Sequence, residues 1–199
     1  MKHQLSLFFS ILACCVPSTS FAQKETERFT EQIDDPWLHY FVTNGCSVRY
    51  SVKVSKGEKL LDGPFLIQRV NGGKLSEGSY KNGAWDGELK FFHTNGHLSS
   101  CQWFKNGKAE GTEIHWGESG MIQRLTRYIN GAKDGIETYW SSDERVVERI
   151  VWSSDQPKIV EVFDGTNLLQ RLTEAEAVKY LKRKAVESVR RAGNRLHRE

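Results

Sequence analysis

Residues 86–107 read DGELKFFHTNGHLSSCQWFKNG. Asn95-Gly96 separates two runs rich in aromatic and aliphatic residues, and Asp86-Gly87 and Asn106-Gly107 bracket the whole. Asn and Gly both tolerate positive φ, so an Asn-Gly pair between extended runs signals a type I′ hairpin turn. The stretch therefore reads as a strand from Glu88 to His93, a two-residue tip turn, and a returning strand from Leu98 to Phe104.

Working outward, the same signals recur with a period of 24. One column holds Asp62-Gly63, Asp86-Gly87, Glu110-Gly111 and Asp134-Gly135. A second holds Asn82-Gly83, Asn106-Gly107 and Asn130-Gly131, with Ser154-Asp155 as a degenerate fourth member. The third, at the hairpin tips, holds Asn71-Gly72, Asn95-Gly96, Ser119-Gly120 and Asp143-Glu144. Three columns in phase define a repeat of strand, tip turn, strand and a longer Asn-Gly-x-x-Asp-Gly connection. YFVTNG at 40–45 reads as an earlier partial copy, and Ile159 to Phe163 with Asp164-Gly165 as a last, decayed one. The fold expected is mainly β, a repetitive antiparallel hairpin meander of roughly eight to ten strands.

Alternation along two-residue hairpins sorts the side chains into faces. Leu89, Phe91, Leu98 and Phe104 share one face, joined in later repeats by Ile122, Tyr128, Tyr139, Val146 and Trp152. The other carries Phe92, Trp103, Ile114, Trp116, Leu125, Trp140, Val147 and Val151. Phe92, Trp103, Trp116 and Trp140 are the candidate binding surface. Such an aromatic column either packs across strands to stabilise the sheet or offers a sticky surface to a peptide, a glycan or a protein.

The pattern of Asp-Gly, an aromatic pair such as Phe91-Phe92 or Tyr139-Trp140, and an aromatic before Asn-Gly resembles a MORN-repeat variant. It is the variant of bacterial YwqK-type antitoxin-like proteins. The resemblance covers about residues 40–165, and the segment 62–140 carries it best. It implies a β-hairpin array that binds other molecules, antitoxin- or immunity-like, without catalysis.

The search for chemistry points the same way. Gly-x-Ser-x-Gly, Ser-x-x-Lys, dinucleotide and Walker patterns are all missing. The glycines and the repeated Asp62, Asp86 and Asp134 belong to turn columns, which leaves no carboxylate pair to nominate. His93, His97 and His115 read as solvated strand-end residues, because no thiolate or carboxylate column joins them into a zinc site. Neither a cofactor nor a metal is expected. The formal net charge of +3 comes with no dense basic stripe, which argues against nucleic acid. A protein is the expected partner, with a membrane surface as the alternative.

Residues 1–22 read as a signal peptide. Lys2 and His3 precede an apolar run from Leu5 to Val16, and Ser20-Phe21-Ala22 offers a cleavage site before Gln23. A lipoprotein acylated at Cys14 or Cys15 is the competing reading. Either implies the envelope or beyond, periplasmic or secreted. Residues 23–36 form an N-terminal extension, 37–172 the repeat domain and 173–199 a helix. Cys46 and Cys101 fall about four strands apart in a meander, ~19 Å, so they are expected as free thiols.

From Thr173 the hydrophobic period changes to that of a helix. Thr173 and Glu176 form a capping box, and Val178, Leu181, Ala185, Val189, Ala192 and Leu196 make one stripe. Gly193-Asn194 is expected to end the helix early. The segment holds eight Lys or Arg against four Glu, so it is basic. The expectation is that it caps the array, covering the last strand edge and burying its stripe against the sheet's apolar faces.

Overall fold

The computed structural model describes residues 35–55 and 58–196. The expected signal peptide, Cys14, Cys15 and the Ala22/Gln23 junction lie outside the described residues. The chain divides into two compact units, one ending at Lys108 and the other starting at Ala109. Helix α1 (Pro36–Thr43) and strands β1 (Ser47–Ser55), β2 (Glu58–Gln68), β3 (Lys74–Lys81), β4 (Ala84–Trp85), β5 (Gly87–Phe92) and β6 (Leu98–Lys105) form the N-terminal unit. The C-terminal unit holds β7 (Lys108–Trp116), β8 (Ile122–Ile129), β9 (Ala132–Lys133), β10 (Gly135–Trp140), β11 (Val146–Ser153), β12 (Gln156–Asp164), β13 (Asn167–Thr173) and helix α2 (Glu174–Leu196). Strand order is β1-β2-β3-β5-β6 in the first and β7-β8-β10-β11-β12-β13 in the second, with short β4 on β3 and β9 on β8. The strand pairings within each unit are antiparallel, so the protein is the expected hairpin meander with a C-terminal helix.

The thirteen strands exceed the expected count because the Asn-Gly column does not belong to long connections. Asn82-Gly83, Asn106-Gly107 and Asn130-Gly131 have φ of 51° and 79°, 49° and 76°, and 52° and 89°. Two successive left-handed residues make these the type I′ turns. Ser154 and Asp155 keep that geometry, with φ of 48° and 65°.

The tip turns are of another type. The Gly96 N–H donates to the His93 carbonyl at 3.1 Å, and the His93 N–H donates to the His97 carbonyl at 2.8 Å. Gly96 is left-handed and Asn95 is not, which defines a three-residue loop with a glycine bulge rather than a two-residue turn. The same bonds recur at Arg69–Gly73, Gly117–Met121 and Ser141–Arg145, and Glu144 takes the left-handed place with φ of 62°.

Each bulge slips the register by one residue and corrects the expected faces. Leu98 pairs with Phe92, Ile122 with Trp116 and Val146 with Trp140, so these aliphatic residues share the face of those aromatics. Leu89, Phe91 and Phe104 keep the other face, here called inner.

The Asp-Gly column stitches the array together. Asp62 accepts the Asn82 N–H at 3.0 Å and Asp86 the Asn106 N–H at 3.2 Å. In the C-terminal unit Glu110 accepts from Asn130 at 2.9 Å and Asp134 from Ser154 at 3.2 Å. Every clamp spans 20 residues, holding the first residue of one left-handed turn against the acid of the previous repeat. One residue further on, Gly83 donates to Leu61, Gly107 to Trp85, Gly131 to Ala109 and Asp155 to Lys133.

The segment expected as a first hairpin tip is a helix. Asp35 caps α1 by accepting the Trp37 and Leu38 N–H groups, with Pro36 at the first position. The Gly45 φ of 80°, with the Cys46 N–H reaching the Phe41 carbonyl, ends the helix in a left-handed cap. Thr43-Asn44-Gly45 therefore serves a helix end. Trp37 lies edge-on to Phe65 and Trp85, and Trp85 to Phe104, over the inner face. Phe65, Ile67, Leu89 and Phe91 complete this core, each worth about 1.5–3 kcal/mol when buried. Cys46 is buried and Cys101 half-buried, and no disulfide joins them.

Helix α2 covers the inner face of the last strands rather than their edge. Ala177 is fully buried against Ile150 and Val160, with Tyr180 and Leu181 beside it. Of the expected stripe Leu181 packs here and Val178 is half-buried, whereas Ala185 is exposed along with the whole of 182–188; the side chains of Val189, Ala192 and Leu196 lie outside the described residues. The helix runs through Gly193 to Leu196. The Thr173 N–H donates to Glu176, one half of the capping box. Strand β13 leads directly into α2, with Thr173 as its last residue and Glu174 as the first of the helix.

Asn106→Val should cost about 1–2 kcal/mol in urea unfolding, because a β-branched residue is strained at φ of 49°. Asn106→Gly should change it little. A chain ending at Thr173 uncovers Ile150 and Val160, and its C-terminal unit should lose its sharp melting by near-ultraviolet circular dichroism.

Candidate functional site: the polar inner face of the C-terminal unit

The repeat places equivalent side chains at 24-residue spacing, yet the inner face changes chemistry along the chain. Leu89 is followed at that spacing by Glu113 and Glu137, and Phe91 by His115 and Tyr139. Ser100 is followed by Arg124 and Glu148. In the C-terminal unit these residues lie in one cross-strand row, His115 facing Arg124, Arg124 facing Tyr139, and Tyr139 facing Glu148. Sequence reading took His115 as a solvated strand-end residue. It is half-buried and embedded in this network.

Three buried carboxylates organise the face, each with its own donors. Glu113 lies 2.9 Å from His115 Nε2 and 3.2 Å from the Arg124 guanidinium, and accepts from the Tyr128 hydroxyl at 3.3 Å. His115 Nε2 also touches Arg124, so it donates to Glu113 when protonated and accepts from Arg124 when not. Burial opposes ionisation of Glu113, but the His115 hydrogen bond and the nearby positive charges outweigh it and hold the carboxyl below its ordinary range. Burial, with Glu113 alongside, pushes the Tyr128 phenol well up, so it stays a donor.

Glu137 is fully buried and accepts from Thr126 Oγ1 at 2.9 Å, Trp152 Nε1 at 2.8 Å and Lys133 Nζ at 2.9 and 3.0 Å. Lys133 also stands 4.7 Å above the Trp152 ring. Glu148 accepts from the Tyr180 hydroxyl at 2.9 Å and from Lys184 Nζ at 2.6 Å, which ties α2 to β11. Burial and Glu148 push the Tyr180 phenol up to about 12. Every carboxylate is closed by its neighbours, which is how buried charges are tolerated. Among the described residues no group of three His, Cys, Asp or Glu side chains is placed to hold a metal ion.

The candidate aromatics lie on the opposite, outer face. Phe92 is half-buried on β5 beneath Lys74, with Nζ 5.5 Å from the ring centroid. Trp103 faces Glu88 across β5–β6 and is 49% exposed. Trp116 and Trp140 occupy equivalent ends of β7 and β10, half-buried, with β8 between them. Around them the outer face interleaves aliphatic and charged residues: Ile114 faces Leu125, and Ile136, Val151 and Ile159 form a row across β10, β11 and β12, with Arg127, Arg149 and Glu161 on the same face. Ile136 is 54% exposed and Ile122 39%. The inner carboxylates belong to no turn column and so carry no turn signature in the sequence. Their signal was the 24-residue spacing of Glu113 and Glu137 itself.

No protein-family model matches the chain, and no curated protein matches it. Among solved structures it is similar to TarM, at 11% identity and a TM-score of 0.34, over 81% of this chain and 29% of that one. The GtfA/B complex bound to UDP and GlcNAc gives 6% identity and 0.26, over 68% and 26%. Accessory secretory protein 1, 2 and 3 of Streptococcus pneumoniae gives 13% and 0.21, over 57% and 19%. The chain thus spans less than a third of the length of each, and TM-scores of this size do not define a shared fold.

Glu113 has a lowered carboxyl, so the stability it contributes is complete above its ordinary value of 4.5 and is lost as pH falls through the lower value of the folded state. Glu113→Gln should cost about 1–3 kcal/mol at pH 7. The gap between variant and parent in urea unfolding should close as pH falls below 4.5.

Proposed function

We propose that the chain is a non-catalytic binding scaffold of the bacterial cell envelope, a MORN-like array whose C-terminal unit docks a protein partner on its outer face. One observation carries the reading. Helix α2 packs on the inner face of the last strands, while the outer face keeps Trp116, Ile122, Ile136 and Trp140 half-buried or exposed, with charged residues between them. Large apolar side chains left accessible on one face are typical of interaction surfaces, and Trp is favoured among their strongest anchors. The inner carboxylates, each occupied by internal donors, support a binding role over acid–base chemistry. The antitoxin- or immunity-like character belongs to the same proposal, as does the periplasmic or secreted location.

A second reading has its own observation. Beyond Leu181 helix α2 projects with Lys182, Arg183 and Val186 exposed, which suits an anionic membrane surface.

The mature chain and an Ile122→Lys, Ile136→Lys variant should melt alike, since both residues face solvent. Immobilised on beads, the parent should retain an envelope protein that the variant binds at least about tenfold more weakly. Equal retention by both sinks the docking surface. Flotation with anionic liposomes that depends on residues 182–196 would transfer the function to the helix.

A further inference from the structure

The outer face of the N-terminal unit holds a separate feature, an open trough of about 570 Å³. Two neighbouring cross-strand rows build it. The first runs through Arg49, Leu66, Glu77 and Lys90, each facing the next across β1, β2, β3 and β5. Its long polar side chains form a wall. In the second row Pro64 faces Ser79, with Ser51 on β1, and these short side chains leave a sunken floor. That row ends at Glu88, which lines the trough and faces the exposed Trp103 on β6.

The chemistry of the lining selects a ligand class. Arg49 and Lys90 balance Glu77 and Glu88, so the trough has no net charge with which to attract a polyanion. Lys90 lies 2.5 Å from Glu88, Lys74 lies 2.8 Å from Glu77, and Arg49 donates to Gln68 at 3.2 Å. An apolar ligand would strip water from four charged groups and return no hydrogen bonds. Strands β2 and β3, which floor the trough, spend their backbone groups on ladders to both sides, which leaves no edge there for an extended peptide. A ligand with many neutral hydroxyls and a weakly apolar ring face satisfies what remains. Carboxylates and a guanidinium hydrogen-bond paired hydroxyls, and an indole stacks on the C–H face of a sugar ring.

We propose that this trough binds a neutral saccharide, with Trp103 as the stacking platform and Glu77, Glu88, Arg49 and Ser79 as hydrogen-bonding partners. The site is independent of the protein-docking surface on the C-terminal unit.

The test is an amide-resolved NMR titration of the full mature chain with three neutral probes, the linear tetrasaccharides of glucose, mannose and N-acetylglucosamine. At least one should shift the Glu77 and Glu88 amide resonances saturably, with a Kd on the order of 1 mM or tighter. Ser79→Tyr fills the floor with a residue strands favour, and Trp103→Ala removes the platform. Each should weaken binding at least about tenfold while the remaining amide spectrum stays native. No shift from any probe at about 10 mM overturns the proposal. A shift that survives Ser79→Tyr also overturns it, as does saturation of the trough by a sulfated polysaccharide but by none of the neutral probes.

Discussion

The interaction on which the rest of the array depends is the acid clamp on the left-handed turn. A two-residue hairpin turn with both φ values positive matches the right-handed twist of its strands, but it leaves the first turn residue's N–H pointing away from the hairpin. Asp62, Asp86, Glu110 and Asp134 meet that N–H from the preceding repeat. One carboxylate thereby satisfies a turn donor and fixes the distance between successive hairpins. Glu110 serves as well as Asp because the constraint is on the oxygen and the longer side chain still reaches it. Ser154 and Asp155 hold the same turn without Asn or Gly, which shows that clamp and ladder together impose the backbone on less suited residues.

With the backbone set this way, the faces are free to diverge. Positions equivalent to Leu89 and Phe91 become Glu113 and His115, then Glu137 and Tyr139. A lone carboxylate on such a face would be costly, so each substitution brings donors from adjoining strands. Arg124 and Tyr128 come from β8 for Glu113, and Thr126, Lys133 and Trp152 come from β8, β9 and β11 for Glu137. The network exchanges apolar burial for directional bonds, tying β7 to β8 through Glu113 and β10 to β8, β9 and β11 through Glu137. Helix α2 extends the same logic by closing Glu148 with Tyr180 and Lys184, while Ala177 lets the helix approach Ile150 and Val160 closely.

The repeat, its period and the mainly β class were legible because positive φ demands Asn and Gly, and those residues print the period on the chain. Which column carried which turn was not legible. Asn95-Gly96 and Asn106-Gly107 are the same dipeptide, and only the hydrogen bonds around His93 and His97 show that the first belongs to a three-residue loop. From that one difference followed the misplaced faces of Leu98, Ile122 and Val146. Thr43-Asn44-Gly45 misled for a related reason, since a left-handed glycine ends a helix as readily as it turns a hairpin. Asp35-Pro36, an N-cap followed by a first-turn proline, was the signal that distinguished them. The aromatic positions Phe92, Trp103, Trp116 and Trp140 were correctly placed together on one kind of face, whereas the inner carboxylates carried no turn chemistry to draw notice.

The two helices close the array in a way that an edge-covering helix would not. Both lie on inner-face positions of their own unit, α1 through Trp37 on Phe65 and Trp85, and α2 through Ala177 on Ile150 and Val160. That leaves the last strand, β13, with its free side uncovered among the described residues and with Leu168 and Leu169 exposed. Such an edge invites further strands unless something discourages them. Here a register slip between Val162 and Phe163 distorts the strand, and Arg171, 3.7 Å from Glu161, keeps a charge on it. Bulges and charged side chains are the usual means of blunting an edge. The helices are therefore left to bury apolar residues on the inner face of their own units.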